Sequence, residues 1–409
     1  MNTKNIIAAL IALLFLPGCA PYSSYVPLDD SMATQEGISS AADGSNQFAV
    51  DFYLEIKDSG ENIFFSPFSI STAFAMAYEG AKGNTSRQME DVFYFEDDYI
   101  ERTASYAAIH NIINAKSKKY ELHTANALWA EQNYTFLENY TSTIRNYYGG
   151  NTTNMDFINN AEQSRQEINR WVEEKTKEKI KDLLPAGSIN YLTRLVLTNA
   201  IYFKGEWVKK FDKDDTKDMP FKVDSETEVT VPMMKLSGEN ARFNYAETEN
   251  MQILEMMYDG GNLSMLVLLP RENLDEIEPE LSAENLAKWK SMMRERKIDV
   301  YFPKFRLETE YSLPGTLQDM GMTDAFSWPE ADFSGMDGGR NLFISGAFHK
   351  AFIEVNEEGT EAAAATAIVM TMGMAFPNEF RADHPFIFII QEKTTGSILF
   401  MGRMSNPAE

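Results

Sequence analysis

The sequence predicts one large α+β domain. Helix-like spacing of apolar residues dominates the first half of the chain and strand-like apolar runs dominate the second half, which is the segregated order of an α+β fold. The chain has 409 residues, of which 44% are hydrophobic, so it can bury a large core. Length alone would allow two or three domains. However, no linker rich in Pro, Gly or Ser interrupts residues 46–409, and we therefore predict a single domain there.

Helices account for most of the elements predicted before residue 180. The spacing of Phe48, Phe52, Leu54 and Ile56 is helical. Ser69 is a candidate N-cap for the next helix, because its hydroxyl could accept a hydrogen bond from a free backbone N–H. The helices are predicted at 46–58, 69–81, from 85 onward, 136–148 and 161–179, and short strands at 63–65 and 122–130.

Strands account for most of the elements predicted after residue 195. The run at 195–203 is apolar throughout, as expected for a strand that is covered on both faces. The turn at 392–396 joins two apolar runs into a hairpin. The strands are predicted at 195–203, within 241–269, and at 297–301, 305–307, 347–355, 387–391 and 397–402, with a helix at 274–293.

The N-terminal region predicts export and a lipid anchor. An apolar run from Ile6 to Leu16 is long enough for a signal peptide at 1–18 but too short to span a membrane. The box Leu16-Pro17-Gly18-Cys19 resembles the prokaryotic lipoprotein cleavage site, in which the cysteine is lipidated. Residues 19–45 would then be the lipidated Cys19 and a flexible tether, with an average end-to-end distance of about 25–30 Å from the outer face of the cell membrane. The alternative is an ordinary signal peptide with an incidental cysteine.

Charge and motif content exclude several classes of function. The formal net charge is −24, which disfavours nucleic acid as a partner because phosphate backbones require clusters of Lys and Arg. The sequence contains no G-x-S-x-G elbow, no H-E-x-x-H motif and no phosphate-binding glycine loop. The four histidines show no metal-ligand spacing. We therefore expect neither an enzyme nor a bound cofactor or metal.

The most informative segment follows the predicted strand at 347–355. Residues 357–376 contain neither Pro nor Lys nor Arg, and small residues dominate them. In a strand, alternate side chains share one face, so Thr360, Ala362, Ala364 and Thr366 would form an uncharged row that can enter a core, while Glu361 faces solvent. The pattern is typical of a loop that becomes a strand in a second state. The alternative is an Ala-rich helix.

Several blocks of the chain, in order, resemble the serpins, a family of protease inhibitors. The hinge at 357–367 is similar to the reactive-loop hinge of the family, and 380–388 to the signature that follows it. The resemblance covers roughly residues 46–409. The other matching blocks are Asn62-Ile63-Phe64-Phe65-Ser66-Pro67-Phe68-Ser69-Ile70, the segment 80–85, the segment 168–176 and the segment 195–207.

The resemblance implies a fold and a mechanism. It implies three β-sheets, eight or nine helices and an exposed reactive loop. It also implies a monomer that inhibits serine or cysteine endopeptidases, because the cleaved loop inserts into the main sheet and traps the protease. The hinge would comprise Glu357, Gly359, Thr360, Glu361, Ala362, Ala363, Ala364, Ala365 and Thr366. A polar cluster of Ser66, Ser69, Asn199 and His349 would lie under the opening sheet, with Trp207 where the loop enters.

Family spacing from Thr360 places the reactive bond at Gly373–Met374, with Met372–Gly373 and Met374–Ala375 as alternatives. No Lys or Arg lies between Glu358 and Arg381, so a trypsin-type pocket, which needs a cation, is disfavoured. Chymotrypsin-, elastase- or subtilisin-like proteases are the expected partners. The alternatives are a non-inhibitory serpin that acts as a carrier or chaperone, and a surface binding lipoprotein.

Overall fold

Nine α-helices lie in the part of the chain that the computed structural model describes, which is residues 27–115, 119–360 and 378–408. A π-helical segment, Ile144–Tyr148, directly extends the fifth helix. The helices are α1 (Gln35–Ile56), α2 (Pro67–Tyr78), α3 (Gly83–Phe93), α4 (Tyr99–Asn114), α5 (Glu138–Thr143), α6 (Phe157–Lys175), α7 (Ala283–Met292), α8 (Leu313–Asp319) and α9 (Ser334–Asp337).

Sixteen strands lie in the same described residues, and helices and strands together confirm the predicted α+β class. They are β1 (Ile63–Phe65), β2 (Tyr120–Glu131), β3 (Asn151–Met155), β4 (Leu195–Glu206), β5 (Lys217–Lys222), β6 (Glu228–Leu236), β7 (Arg242–Glu247), β8 (Met251–Met257), β9 (Leu263–Pro270), β10 (Arg294–Pro303), β11 (Phe305–Ser312), β12 (Ile344–Asn356), β13 (Gly359–Thr360), β14 (Asn378–Arg381), β15 (Phe386–Glu392) and β16 (Ile398–Met404).

A six-stranded sheet has the order β11-β12-β13-β4-β2-β3, and β12 also pairs directly with β4. The remaining strands form a ten-stranded sheet in which β14 pairs with β10. Its strand β10 belongs to two groups, because residues 294–297 pair with β7 while residues 298–303 pair with β6 and β14. The resemblance implies three sheets. They correspond to the six-stranded sheet and to the two groups of strands that share β10.

Strand β4 is covered on both faces, as its uninterrupted apolar sequence predicts. Leu197, Ile201 and Phe203 pack into the main core, which also receives the ten-stranded sheet and α1 and α2. Val196 and Ala200 face the other way, into a second apolar cluster beneath α6. The six-stranded sheet is therefore the layer between two cores.

The predicted boundary between tether and domain is wrong. Helix α1 begins at Gln35, capped by the hydroxyl of Thr34, and not at residue 46. Ala41, Ala42 and Ser45 are buried, so residues 35–45 belong to the domain. The segment looks like a tether in sequence because its residues are small. They are small because α1 packs closely, and a Cβ on Gly44 would lie 2.7 Å from the carbonyl oxygen of Tyr94.

Two other predicted elements differ from the structure. Helix α2 is capped by Ser66, whose hydroxyl accepts from the N–H of Ser69, and Pro67 occupies its first turn. The helix predicted at 274–293 begins only at Ala283, since Pro279 lies in one of two 3₁₀ turns that precede it. The elements that were not predicted are helices α4, α8 and α9 and strands β3, β5, β6 and β14. In the described ranges no helix is both long and apolar enough to cross a membrane.

A buried ion pair joins α2 to α4. The guanidinium of Arg102 on α4 donates to both carboxylate oxygens of Glu79, at 3.0 and 3.1 Å. The hydroxyl of Tyr148, in the π-helical segment, donates to the same carboxylate at 2.6 Å. The side chains of Arg102 and Glu79 are only 6% and 3% exposed. One carboxylate thus holds three elements in register.

We expect Glu79→Gln to destabilise the protein by about 3–5 kcal/mol, because it leaves the charge of Arg102 buried without its counter-charge. Equilibrium urea unfolding of the full chain measures the change. The control is Glu239→Gln, which breaks an ion pair with Lys297 in which the glutamate is 80% exposed. That change should cost less than about 1 kcal/mol. Equal costs for the two variants would contradict the role given to Glu79.

Candidate functional site

The beginning of the predicted hinge is already a strand of the six-stranded sheet. After β12 the chain turns at Glu357 and Glu358 and returns as β13 between the ends of β12 and β4. Thr360 pairs with Val355 on one side and with Gly205 on the other, antiparallel to both strands. Farther along, β12 and β4 pair directly in parallel. The sheet is therefore open to a further strand at one end only.

Only glycine fits at position 359, because β13 lies very close to β4 there. Its φ is +149°, a conformation that side chains rarely adopt. A Cβ on it would lie 2.1 Å from the carbonyl oxygen of Gly205 and 2.5 Å from the Cα of Glu206. Two glycines thus meet where the hinge enters the sheet, and any larger residue would push β13 away from β4.

Thr360 is fully buried, and its hydroxyl lies 2.9 Å from the hydroxyl of Tyr258. The ring of Tyr258 stacks on Trp207 with centroids 4.5 Å apart. The indole Nε1 of Trp207 donates to the carbonyl of Asn356 at 3.0 Å, and its backbone N–H donates to the carbonyl of Glu358 at 2.8 Å. Trp207 therefore lies at the point where the hinge enters, and Tyr258 is a member of this site that the sequence did not indicate.

The two glutamates of the turn are buried and paired with lysines. The carboxylate of Glu358 lies 3.0 Å from Lys210 and 3.5 Å from Lys213. The carboxylate of Glu357 lies 3.0 Å from Lys304 and accepts a hydrogen bond from Thr216. Burial by itself would raise the pKa of Glu357, but hydrogen bonds from its own backbone, Lys304 and Thr216 hold that pKa below its ordinary value.

The predicted polar cluster is assembled where β12 and β4 pair directly. His349 on β12 lies opposite Asn199 on β4, and its Nδ1 contacts the Asn199 side-chain oxygen. The backbone N–H of Ser66 donates to Nε2 of His349 at 3.1 Å. Because Nε2 accepts this bond, Nδ1 carries the proton and donates to Asn199. The amide of Asn199 also donates to Ser69 and to Asn126, a further member on β2.

Trp207 lies away from this cluster, directly after the end of β4, where the resemblance implies that the loop enters. It follows Asn199 by eight positions, or about 26 Å along an extended strand. Ser66, Ser69, Asn199 and His349 therefore form one cluster, and Trp207 belongs to the hinge. Asn199 and Trp207 are far apart because the backbone between them is extended.

His349 is fully buried, and burial lowers its pKa to about 3. The ring is therefore neutral at pH 7. Since the folded pKa lies below the ordinary value of about 6.5, the stability linked to His349 is complete above pH 6.5 and is lost as the pH falls toward 3. Acid thus weakens the contact between β12 and β4 at this cluster.

The remaining predicted site residues lie outside the described residues. These are Cys19, Glu361, Ala362, Ala363, Ala364, Ala365, Thr366, Met372, Gly373, Met374 and Ala375. The chain resumes in β14, which pairs in parallel with β10. Residues 361–377 therefore connect the six-stranded sheet to the ten-stranded sheet. No group of three or more His, Cys, Asp or Glu in residues 27–115, 119–360 and 378–408 could hold a metal ion.

Comparison with known proteins gives a consistent result. The model of the family "Serpin (serine protease inhibitor)" matches residues 43–407. A serpin-like protein of Methanosarcina acetivorans is 43% identical over 369 residues, which cover 90% of this chain and 86% of the relative. The leukocyte elastase inhibitor of Xenopus laevis is 42% identical, covering 91% of this chain and all of the relative.

Among solved structures, uncleaved ovalbumin matches with a TM-score of 0.82 and 37% identity, over 90% of this chain and all of that one. The fold and the sequence of nearly the whole domain therefore agree. The chain belongs to the serpin family.

Proposed function

We propose that this serpin inhibits serine or cysteine endopeptidases by cleavage of its reactive loop and insertion of the cut strand between β12 and β4. The observation that carries the proposal is the position of β13, whose two residues already pair with both neighbouring strands. The residues that follow continue the row with Ala362, Ala364 and Thr366, which are small and uncharged. Nothing in that row resists burial.

The chemistry of the proposed reaction resides in the protease. Its nucleophile attacks the carbonyl of the reactive bond, Gly373–Met374 or one of the adjacent bonds, and forms an acyl-enzyme with the new C-terminus of the cut hinge. The hinge then extends β13 toward the other end of the sheet. The acyl-enzyme moves with it before water can release the loop. This chain supplies the strand and the pair of strands, β12 and β4, that receives it.

Insertion replaces one ladder by two. The parallel pairing between β12 and β4 must break, and the inserted strand then pairs with each of them in antiparallel fashion, as β13 does at its start. Antiparallel pairing is slightly more stable per residue than parallel pairing. The number of backbone hydrogen bonds therefore rises, which supplies the driving force and makes the uncut fold kinetically trapped.

The polar cluster allows the ladder to open at low cost. The contact between His349 and Asn199 joins the two strands that must separate. After separation His349 still accepts from the N–H of Ser66, and Asn199 still donates to Ser69 and Asn126. Each of the two side chains thus keeps at least one hydrogen bond, as buried polar side chains require, and only the bond between the Nδ1–H of His349 and the Asn199 oxygen is lost.

The loop composition points to a class of target. Without Lys or Arg between Glu358 and Arg381, the loop cannot place a cation in a trypsin-like pocket. Methionine at the bond suits the apolar pockets of chymotrypsin-, elastase- or subtilisin-like proteases. The name of the Xenopus relative, an elastase inhibitor, agrees with this class. A carrier, a chaperone or a surface binding lipoprotein remains the alternative.

We expect the protein to form an SDS-resistant complex with chymotrypsin, elastase or subtilisin, at a rate at least ten times higher than with trypsin. The physical reason is the apolar loop. Timed inactivation assays, followed by peptide mass of the released fragment, measure the rates and locate the bond among residues 372–375. Binding without a stable complex would favour the carrier or chaperone. An equal or faster rate for trypsin would overturn the assigned target class.

We expect Thr360→Arg to convert the inhibitor into a substrate that is cut at the same bond. Position 360 is fully buried, and an unpaired charge there costs several kcal/mol even after relaxation. Insertion then becomes slower than deacylation. The control is Glu361→Arg, which places the same charge on the alternate, solvent-facing side of the strand and should still inhibit. Cleaved wild type should also melt far above the uncut form, and an unchanged melting point would rule out insertion.

Cys19 is proposed to carry a lipid that holds the protein on the outer face of the cell membrane. We expect Cys19→Ser to move the protein from the membrane fraction to the soluble fraction, because stable anchoring requires the acyl chains. Fractionation and intact mass measure the effect. A wild type that is soluble and has a free thiol at Cys19 would disprove the anchor without affecting the inhibitory proposal.

A further inference from the structure

The residues that precede α1 are bound to the surface of the domain. Residues 28–34, here called the N-terminal strap, run along α4 in the opposite direction. Leu28 lies at Asn111, near the end of α4, and the hydroxyl of Thr34 donates to Glu101, near its start, at 3.0 Å. The strap thus covers α4 for most of its length.

Asn111 binds the strap in the way that a neighbouring strand would. Its side-chain oxygen accepts from the N–H of Leu28 at 2.9 Å, and its amide donates to the carbonyl of Leu28 at 3.0 Å. The amide also donates to the carboxylate of Asp30 at 2.9 Å. The next N–H, of Asp29, donates to the carbonyl of Asn146 in the π-helical segment at 2.9 Å. Four hydrogen bonds thus fix this segment to the domain.

The strap shortens the connection between the domain and Cys19. Only residues 20–27 separate Cys19 from the strap. Eight residues span at most about 30 Å when fully extended, and about 15 Å on average as a flexible chain. A free tether of 26 residues, as the sequence alone suggests, could extend about 90 Å. A domain held by the strap therefore remains within a short distance of the anchor.

The edge that carries the strap also exposes apolar side chains. Met32 of the strap is 61% exposed, and Tyr99 and Ile100 at the start of α4 are 45% and 52% exposed. Tyrosine and aliphatic side chains of this kind partition into the interface of a bilayer. The nearby carboxylates of Asp29 and Asp30 disfavour an anionic surface. The chemistry of this edge fits a neutral lipid surface.

We propose that the strap and α4 hold the domain against a lipid surface, with the β3 edge of the six-stranded sheet toward the bilayer and the β11 edge away from it. The inference rests on the proposed lipid at Cys19. The π-helical segment that binds Asp29 leads directly into β3, which places the strap at that edge. The two edges lie four strand spacings apart, or about 19 Å.

The test uses the lipidated full-length protein in phosphatidylcholine vesicles that contain an energy-transfer acceptor. Single cysteines, Arg145→Cys in the π-helical segment or Ser312→Cys on β11, carry the donor, since both positions are exposed. We expect the dye at 145 to lie nearer the bilayer, by on the order of 20 Å. Hydrogen exchange should show the amides of Leu28 and Asp29 protected at least tenfold relative to a free peptide.

Asn111→Ala should remove that protection and abolish the difference between the two dyes. The control is Asn114→Ala on the same helix, since the Asn114 amide bonds to the carbonyl of His110 in its own turn. This variant should behave as wild type. Unprotected amides in the wild type, equal distances for the two dyes, or distances that Asn111→Ala leaves unchanged would each overturn the inference.

Failure of the anchor is distinguishable from failure of the strap. If the wild type does not associate with vesicles while Leu28 and Asp29 remain protected, the lipid at Cys19 and the orientation are both disproved, and the strap itself stands. The SDS-resistant complex with chymotrypsin reports on inhibition independently of both.

Discussion

The parallel pairing of β12 with β4 is the interaction on which the rest of this structure depends. These strands form the centre of the six-stranded sheet, and each contributes side chains to the core on either side of it. They are joined along most of their length but are held apart at one end by β13. A sheet that is closed at one end and already separated at the other defines both the place and the direction in which a further strand can enter.

The polar groups along this pair of strands differ between its open end and its middle. Charged groups, Glu357 and Glu358 with their lysines, lie at the open end, where solvent reaches the lysines and lowers the cost of separating ions. In the middle of the pair, the contact that joins the two strands is between neutral groups, His349 and Asn199. The buried cation there, Lys350, pairs with Glu308 and Glu310 of β11, which stays beside β12. Separating β12 from β4 there therefore breaks no ion pair, which would be far more costly than breaking a contact between neutral hydrogen-bonding groups.

The N-terminal region of the domain shows that a segment of small residues can be a packed part of the fold. Residues 35–45 have the composition of a linker, yet Gly37 and Gly44 allow α1 to pack within contact distance of α4 and of Tyr94. The buried pair of Glu79 and Arg102 positions α4 and the π-helical segment. Those two elements in turn bind residues 28–34 through Asn111 and Asn146. The edge that holds the N-terminus is thus as specifically built as the hinge.

Local patterns in the sequence were sufficient to predict the α+β class, the strand that precedes the hinge, the doubly buried β4 and the C-terminal hairpin, because periodicity and apolar runs report directly on burial. They also indicated the hinge, because an alternating row of small, uncharged side chains is typical of a strand that enters a core. Family resemblance then brought Ser66, Ser69, Asn199 and His349 together. Only the tertiary structure decided that Tyr258 meets Thr360, 102 positions later, that lysines surround Glu357 and Glu358, and that the domain begins before residue 46. These contacts join residues far apart in the chain, and packing between elements, which no local pattern records, determines them.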